Sequence, residues 1–295
     1  MKRLGRLDHL RAFAAFMVIV WHLTPRWSHE MSSDYSVLSI LKQGYTGVSF
    51  FCVISGFILT VIYFDQEFKI SNFIKNRVLR IAPLFIFFLF LSYYTSAWDL
   101  SALIATTITG LSRGGLPSYV GPGWTVLIEF QFYLLFPFLV IFTKKYGIKY
   151  ILGLVFLFLL IRFAVWSAAG TVQLVSYYSI FGRMDQFLAG MLAARALSSP
   201  PVQNFFSHRY FCFSVLVGGL ILAFVFFGWV DSKGGLLNFE GSPWPSISPW
   251  WALIPTIEGL IYAVLLCSYL SIPCFKFTGI LSKIFSYVGL VSYSI

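Results

Sequence analysis

Apolar residues along the chain fall into long blocks separated by short polar or basic connections. The first block is Leu10–Leu23, the second about Gly44–Phe64, and the third follows Pro83 to about Trp98. Others lie at about Trp124–Phe142, Tyr150–Trp166, Ser176–Leu197, Phe211–Val230 and Trp250–Leu270, and a ninth begins near Ile284. Such blocks approach the ~20 apolar residues with which an α-helix crosses a bilayer. Pro83 suits the first turn of the third helix. Leu100–Leu111 is apolar but too short to cross unaided, and reads as re-entrant or interfacial. The pattern predicts an all-α fold, a polytopic membrane helix bundle of roughly nine or ten transmembrane helices. No internal repeat, low-complexity tract or long linker divides it, so residues 1–295 read as one domain.

Composition agrees. Of 295 residues, 58% are hydrophobic, 20% aromatic and only 11% charged, against about 25% charged in a typical soluble domain. The net charge of +10 would fit nucleic acid if it formed one patch, but the basic residues sit in clusters between apolar blocks, as membrane orientation requires. With the N-terminus in the cytoplasm and Leu100–Leu111 not crossing, one side collects Lys2, Arg3, Arg6, Arg11, Lys69, Lys75, Arg77, Arg80, Lys144, Lys145, Lys149, Arg195, Arg209, Lys276 and Lys283. The other receives Arg26, Lys42, Arg113 and Lys233. The basic start followed by an apolar run resembles a signal peptide, but no small-residue cleavage site follows, so it reads as the first transmembrane helix. The four cysteines, Cys52, Cys212, Cys267 and Cys274, have no C-x-x-C spacing and read as packed thiols, with no metal site.

Charged groups inside apolar blocks change the picture from fold to chemistry. On a helix, Asp8, Arg11, Ala15, Val18 and His22 form one stripe, with Arg11 and His22 about 16 Å apart along the axis. Such groups are costly in lipid unless they line a polar cavity or find partners. Arg11 as a juxtamembrane anchor and His22 as a hydrogen-bonded bundle residue is the plainer alternative. Glu129 shares a face with Phe132, Tyr133 and Phe136. It reads either as a chemical group or as a carboxylate pairing with an arginine between helices, and the aromatic stripe reads as packing. Arg162 and Arg183 are candidate partners for Glu129 or Asp185. Gly47, Ser49, Ser55 and Gly56 would admit a close neighbouring helix or a ligand. By the orientation above, Arg11, Arg77 and Arg80 gather at a cytoplasmic mouth, with His22 and Glu129 at similar depth further in. That arrangement suits an anionic donor with a slender arm.

The motifs also carry a resemblance. Leu7-Asp8 precedes Arg11 and His22; Gly47-Val48-Ser49-Phe50-Phe51-Cys52-Val53-Ile54-Ser55-Gly56-Phe57 fills the second block; Arg77-Val78-Leu79-Arg80-Ile81-Ala82-Pro83 forms a basic loop. Trp124, Glu129, Phe132, Tyr133, Leu134 and Pro137 follow, then Arg183 through Gly190, and Gly289-Leu290-Val291-Ser292-Tyr293-Ser294 near the end. In this order the chain resembles acyltransferase family 3 of bacterial membrane-bound O-acyltransferases, the group that includes O-antigen and exopolysaccharide O-acetylases. His9 and Ala12 stand where the family has glycines, and Thr125 and Val126 replace its Ser-Leu. The family continues for most of another helix past Ile295, so the resemblance implies a domain with its last helix truncated.

The resemblance implies acyl transfer from cytoplasmic acyl-CoA, chiefly acetyl-CoA, to a hydroxyl of a cell-surface or lipid-linked glycan. The catalytic residues expected on it are His22, Arg11 and Glu129, with Arg77, Arg80, Arg183 and Ser55 as donor-binding residues. His22 would act as general base, or less readily form a covalent acyl-imidazole. Arg11 would orient the donor, Arg77 and Arg80 would contact its phosphates, and Glu129 would orient His22 or the acceptor. The acyl-CoA is a donor substrate; no cofactor is expected to be bound permanently. The expected partners are the donor, the glycan acceptor and membrane lipid, with no nucleic acid, and the expected location is a bacterial inner membrane. A polytopic transporter of a glycan, lipid or small solute is the alternative, and a silent scaffold a further one; a transporter predicts inverted repeats and broken helices, neither of which stands out.

Overall fold

The computed structural model describes residues 2–23, 39–95, 123–242, 244–272 and 279–292. Backbone amides in lipid have no water to bond, so a spanning segment must satisfy them within itself. The described residues accordingly form helices and no strand. The helices are α1 (Lys2–Leu23), α2 (Ser39–Lys42), α3 (Gly47–Tyr63), α4 (Ile70–Thr95), α5 (Trp124–Tyr146), α6 (Ile148–Ala169), α7 (Gln173–Tyr178), α8 (Ile180–Ser198), α9 (Pro200–Ser207), α10 (Arg209–Ser232), α11 (Ile254–Ser271) and α12 (Ile280–Val291). A 3₁₀ turn, Gly44–Thr46, leads into α3. The stretches Gly44–Tyr63, Trp124–Tyr146, Ile148–Ala169, Arg209–Ser232 and Ile254–Ser271 are long and apolar enough to cross a membrane. Helix α6 turns Phe156, Leu157 and Leu160 outward, as a lipid-facing helix does.

Every apolar block is helical, but three boundaries move. Pro83 lies well inside α4, which begins at Ile70 because the Lys- and Arg-bearing stretch before it is itself helical. The sixth block is broken at Ser179, whose φ of −124° and ψ of 159° are extended, and α7 and α8 lie either side of it. Gly182 follows the break with its Cα against the backbone of Ser176, leaving no room for a side chain. The eighth block opens as a 3₁₀ turn at Pro249–Ala252, and Pro255 then sits in the first turn of α11. Leu100–Leu111 lies outside the described residues.

Helix α8 is the centre of the bundle and is buried along most of its length, packed against α3, α6 and α11. Small residues allow this closeness: a side chain at Gly56 would strike the Phe187 carbonyl, and one at Gly190 the Val53 carbonyl. Gly47 meets α1 in the same way at the Ala14 carbonyl.

Two buried ion pairs lie inside the bundle among the described residues. Arg162 Nη2 of α6 lies 2.7 Å from Asp185 Oδ2 of α8, with both side chains fully buried; Thr256 of α11 hydrogen-bonds to both. Arg183 Nη1 donates to Ser49 Oγ at 2.8 Å, Ser49 donates to Glu258 Oε2, and Arg183 and Glu258 stand 3.8 Å apart. Gln186 joins the same group by donating to Ser49 and to the Pro255 carbonyl. At one end of α1, Arg6 Nη1 donates to the Leu270 and Ile272 carbonyls at 3.1 and 2.9 Å, satisfying acceptors that the C-terminus of α11 leaves open.

Candidate active site

The exposed cation Arg80 and the half-buried Arg77 lie on one turn of α4. They face α1 and α3 across a cleft of about 210 Å³. Its polar lining is Asp8, Arg11, Ser55, Arg77, Arg80 and Tyr133, and its apolar wall is Leu7, Ile58, Leu59 and Ile62. Arg11 Nη1 is 3.0 Å from Asp8 Oδ1, one helical turn away; of the stripe read from the sequence only these two residues line the cleft, and Ala15, Val18 and His22 do not. The Arg77 guanidinium lies 5.6 Å from the ring centres of both Phe73 and Tyr133 and donates to Tyr63 Oη at 3.3 Å. Cation–π contact and this hydrogen bond hold it in place.

Glu129 stands behind the cleft floor. Ser55 Oγ donates to its Oε1 at 2.9 Å, and Tyr133 Oη donates to the same oxygen. Tyr133 is one turn along α5 from Glu129 and is buried, so packing of the aromatic stripe and a role for its hydroxyl coexist.

His22 is at the other end of α1 and is exposed. Its Nδ1 lies 2.8 Å from the Val18 carbonyl oxygen. A carbonyl can only accept, so Nδ1 carries a proton here and Nε2 is the ring nitrogen left for acid–base work. Val18 packs against Gly47, and α1 and α3 run in opposite directions. Eight residues along α3 to Ser55 and four along α1 to His22 separate the imidazole from the Glu129 floor by on the order of 20 Å. The expected similar depth of His22 and Glu129 is therefore not what the structure has. Glu129, five residues into α5, instead meets Ser55 and Tyr133, both of which line the cleft.

Arg11, Arg77, Arg80 and Ser55 come together, with Glu129 in direct contact through Ser55. Arg183 does not line this cleft. It is buried in the pair with Glu258, its guanidinium 4.7 Å from the Tyr177 ring centre and 5.6 Å from that of Trp124. Of the open pairings, Arg162 takes Asp185 and Arg183 takes Glu258. Glu258 is absent from the sequence reading, although a carboxylate within the Trp250–Leu270 block obeys the same rule that drew attention to His22.

An all-helical bundle with embedded ion pairs and several helices apolar enough to cross a membrane describes an integral-membrane protein. Residues 4–295 match the model of the acyltransferase domain family, Acyl_transf_3, and the chain belongs to that family. It is similar to the peptidoglycan O-acetyltransferase OatA of Listeria monocytogenes, at 28% identity over 231 residues, covering 65% of this chain and 34% of that protein. It is also similar to the O-acetyltransferase OatA of Staphylococcus aureus, at 27% identity over 164 residues, covering 46% and 24%. These matches span about a third of the relatives' length or less. No solved structure matches the chain.

Proposed function

We propose that this domain transfers an acyl group, acetyl above all, from acyl-CoA to a hydroxyl of a cell-wall glycan in a bacterial inner membrane. One observation carries the reading: Arg11, Arg77 and Arg80 line a single cleft at the foot of the helix that bears His22, whose Nδ1 is held on the Val18 carbonyl. Coenzyme A has phosphates at one end and a thioester at the end of a slender arm. The arginines suit the phosphates, and the arm would run along α1 toward His22. The Arg11 end would then face the cytoplasm, where acyl-CoA is made.

In the reaction, His22 Nε2 takes the proton of the acceptor hydroxyl as its oxygen attacks the thioester carbonyl. The C–S bond then breaks, and the CoA thiolate leaves with the proton that the imidazolium returns. A glycan acceptor is supported by the relatives whose names specify O-acetylation.

The test uses membranes carrying the full-length protein, labelled acetyl-CoA and candidate glycans. His22→Ala is expected to slow transfer by about 10²- to 10⁴-fold, the usual contribution of a positioned base; transfer at the wild-type rate would remove His22 from the chemistry. Arg77→Lys with Arg80→Lys keeps the charge but loses the planar fork of donors. A several-fold rise in donor KM is expected, and an unchanged KM would remove the phosphates from these residues.

A further inference from the structure

Helix α3 borders a second cavity on another face. Ser55, Ile58 and Ile62 line the arginine cleft, whereas Phe57, Thr60 and Val61 line a separate cavity of about 160 Å³ against the end of α8 and the start of α9. Its charged groups are Asp65 and Arg195. They stand 3.5 Å apart, longer than a good charge-assisted hydrogen bond. The Arg195 guanidinium is fixed over the Phe64 ring, 4.1 Å from its centre, and most of its N–H groups are left to an anion.

The rest of the polar lining accepts. Thr60 Oγ1 donates its proton to the Gly56 carbonyl at 2.8 Å, and Ser198 Oγ donates to the Arg195 carbonyl at 2.9 Å. Each hydroxyl then offers the cavity only oxygen lone pairs. A simple anion would suit Arg195 but be repelled by Asp65, and a simple cation would meet the reverse. A ligand that carries an anion and an N–H-bearing cation a short link apart satisfies both.

The surroundings say where such a ligand comes from. Helix α9 carries no charged residue, packs Val202 and Phe206 inward and leaves Phe205 61% exposed. Lys144 of α5 approaches Phe64 beside Arg195, and Arg209 opens α10. Exposed aromatics among basic residues at helix ends mark the bilayer surface. Val61, on the cavity wall, is 60% exposed and gives an apolar exit toward acyl chains. We propose that this cavity holds the headgroup of an aminophospholipid. The phosphate rests on Arg195, the primary ammonium is held by Asp65, Thr60 and Ser198, and the chains leave past Val61. The site is independent of the acyl-CoA reading.

The test titrates the detergent-solubilised full-length protein with dioleoyl phosphatidylethanolamine, phosphatidylcholine and phosphatidylglycerol, and measures bound lipid by native mass spectrometry. Wild type is expected to hold the ethanolamine lipid about tenfold more tightly than the choline lipid, whose methyl groups remove every N–H. It is expected to hold the glycerol lipid, which has no ammonium, more weakly than the ethanolamine lipid as well. Asp65→Asn should abolish the preference for ethanolamine over choline and leave choline-lipid affinity unchanged, which also shows that the variant is folded. Arg195→Gln should weaken both of these lipids alike.

Equal binding of the ethanolamine and choline lipids to wild type would overturn the proposal, as would a preference that survives Asp65→Asn. Tightest binding of phosphatidylglycerol would make this a site for anionic lipid and overturn the ammonium assignment. Affinities unmoved by Arg195→Gln would take the phosphate away from this cavity and overturn the proposal too.

Discussion

Arg162 shows at the scale of one residue what a charge costs in this bundle and how it is kept. Its guanidinium is fully buried and bonds Asp185, Thr256 and the Gly182 carbonyl. Arg162→Ala would strand the Asp185 carboxylate without its cation, which typically costs ~3–5 kcal/mol. Thermal unfolding in detergent should show a large fall in Tm. Arg162→Met combined with Asp185→Leu should recover most of it, because a pair replaced by apolar groups leaves no orphan charge. The same cost made Arg11, His22, Arg162, Arg183 and Asp185 legible in the sequence, since each breaks an apolar run. Glu258 breaks one too and was legible by the same test. Tyr133 was not: in a helix rich in Phe, Leu and Tyr, a phenol has no cost to advertise until its hydroxyl finds Glu129.

Single helices were legible for a similar reason. The lengths of the apolar blocks follow from the thickness of the bilayer core, so all nine blocks hold helices. Their ends were less so. Basic Lys75, Arg77 and Arg80 look like a loop beside an apolar block, yet they continue α4 through Pro83, and this places Arg77 and Arg80 one turn apart on the face that lines the cleft. The break at Ser179 likewise has no strong breaker at its own position. Contact between α3 and α8 depends on two glycines whose missing side chains let the helices touch backbone to backbone. Gly190→Leu should force them apart and lower Tm by many degrees, whereas a leucine at Gly153, whose Cβ position meets no other atom, should be close to neutral. Comparing the two melts separates the effect of packing from that of adding a leucine.

The arrangement of helices was the part that the sequence withheld. In water a helix betrays its buried face by its polar one, but here both lipid-facing and core-facing sides are apolar. Nothing in the pattern announces that α8 is central or that α1 lies against α12. That second contact has a further consequence. Gly289 of α12 meets the backbone of Asp8, and His9 reaches Ser282 and Ser286 at 3.1 and 3.0 Å, so the helix that supplies Arg11 is braced by a segment some 270 positions later. Chains emerge from the ribosome N-terminal end first. Helix α1 must therefore wait for α12 before this neighbour exists. Nascent chains arrested before Ile280 should leave α1 open to cysteine labelling at position 9, and chains arrested well beyond Val291 should shield it. Assembly of the arginine-lined cleft thus becomes a late event in biogenesis, even though Leu7, Asp8 and Arg11 are made long before α12.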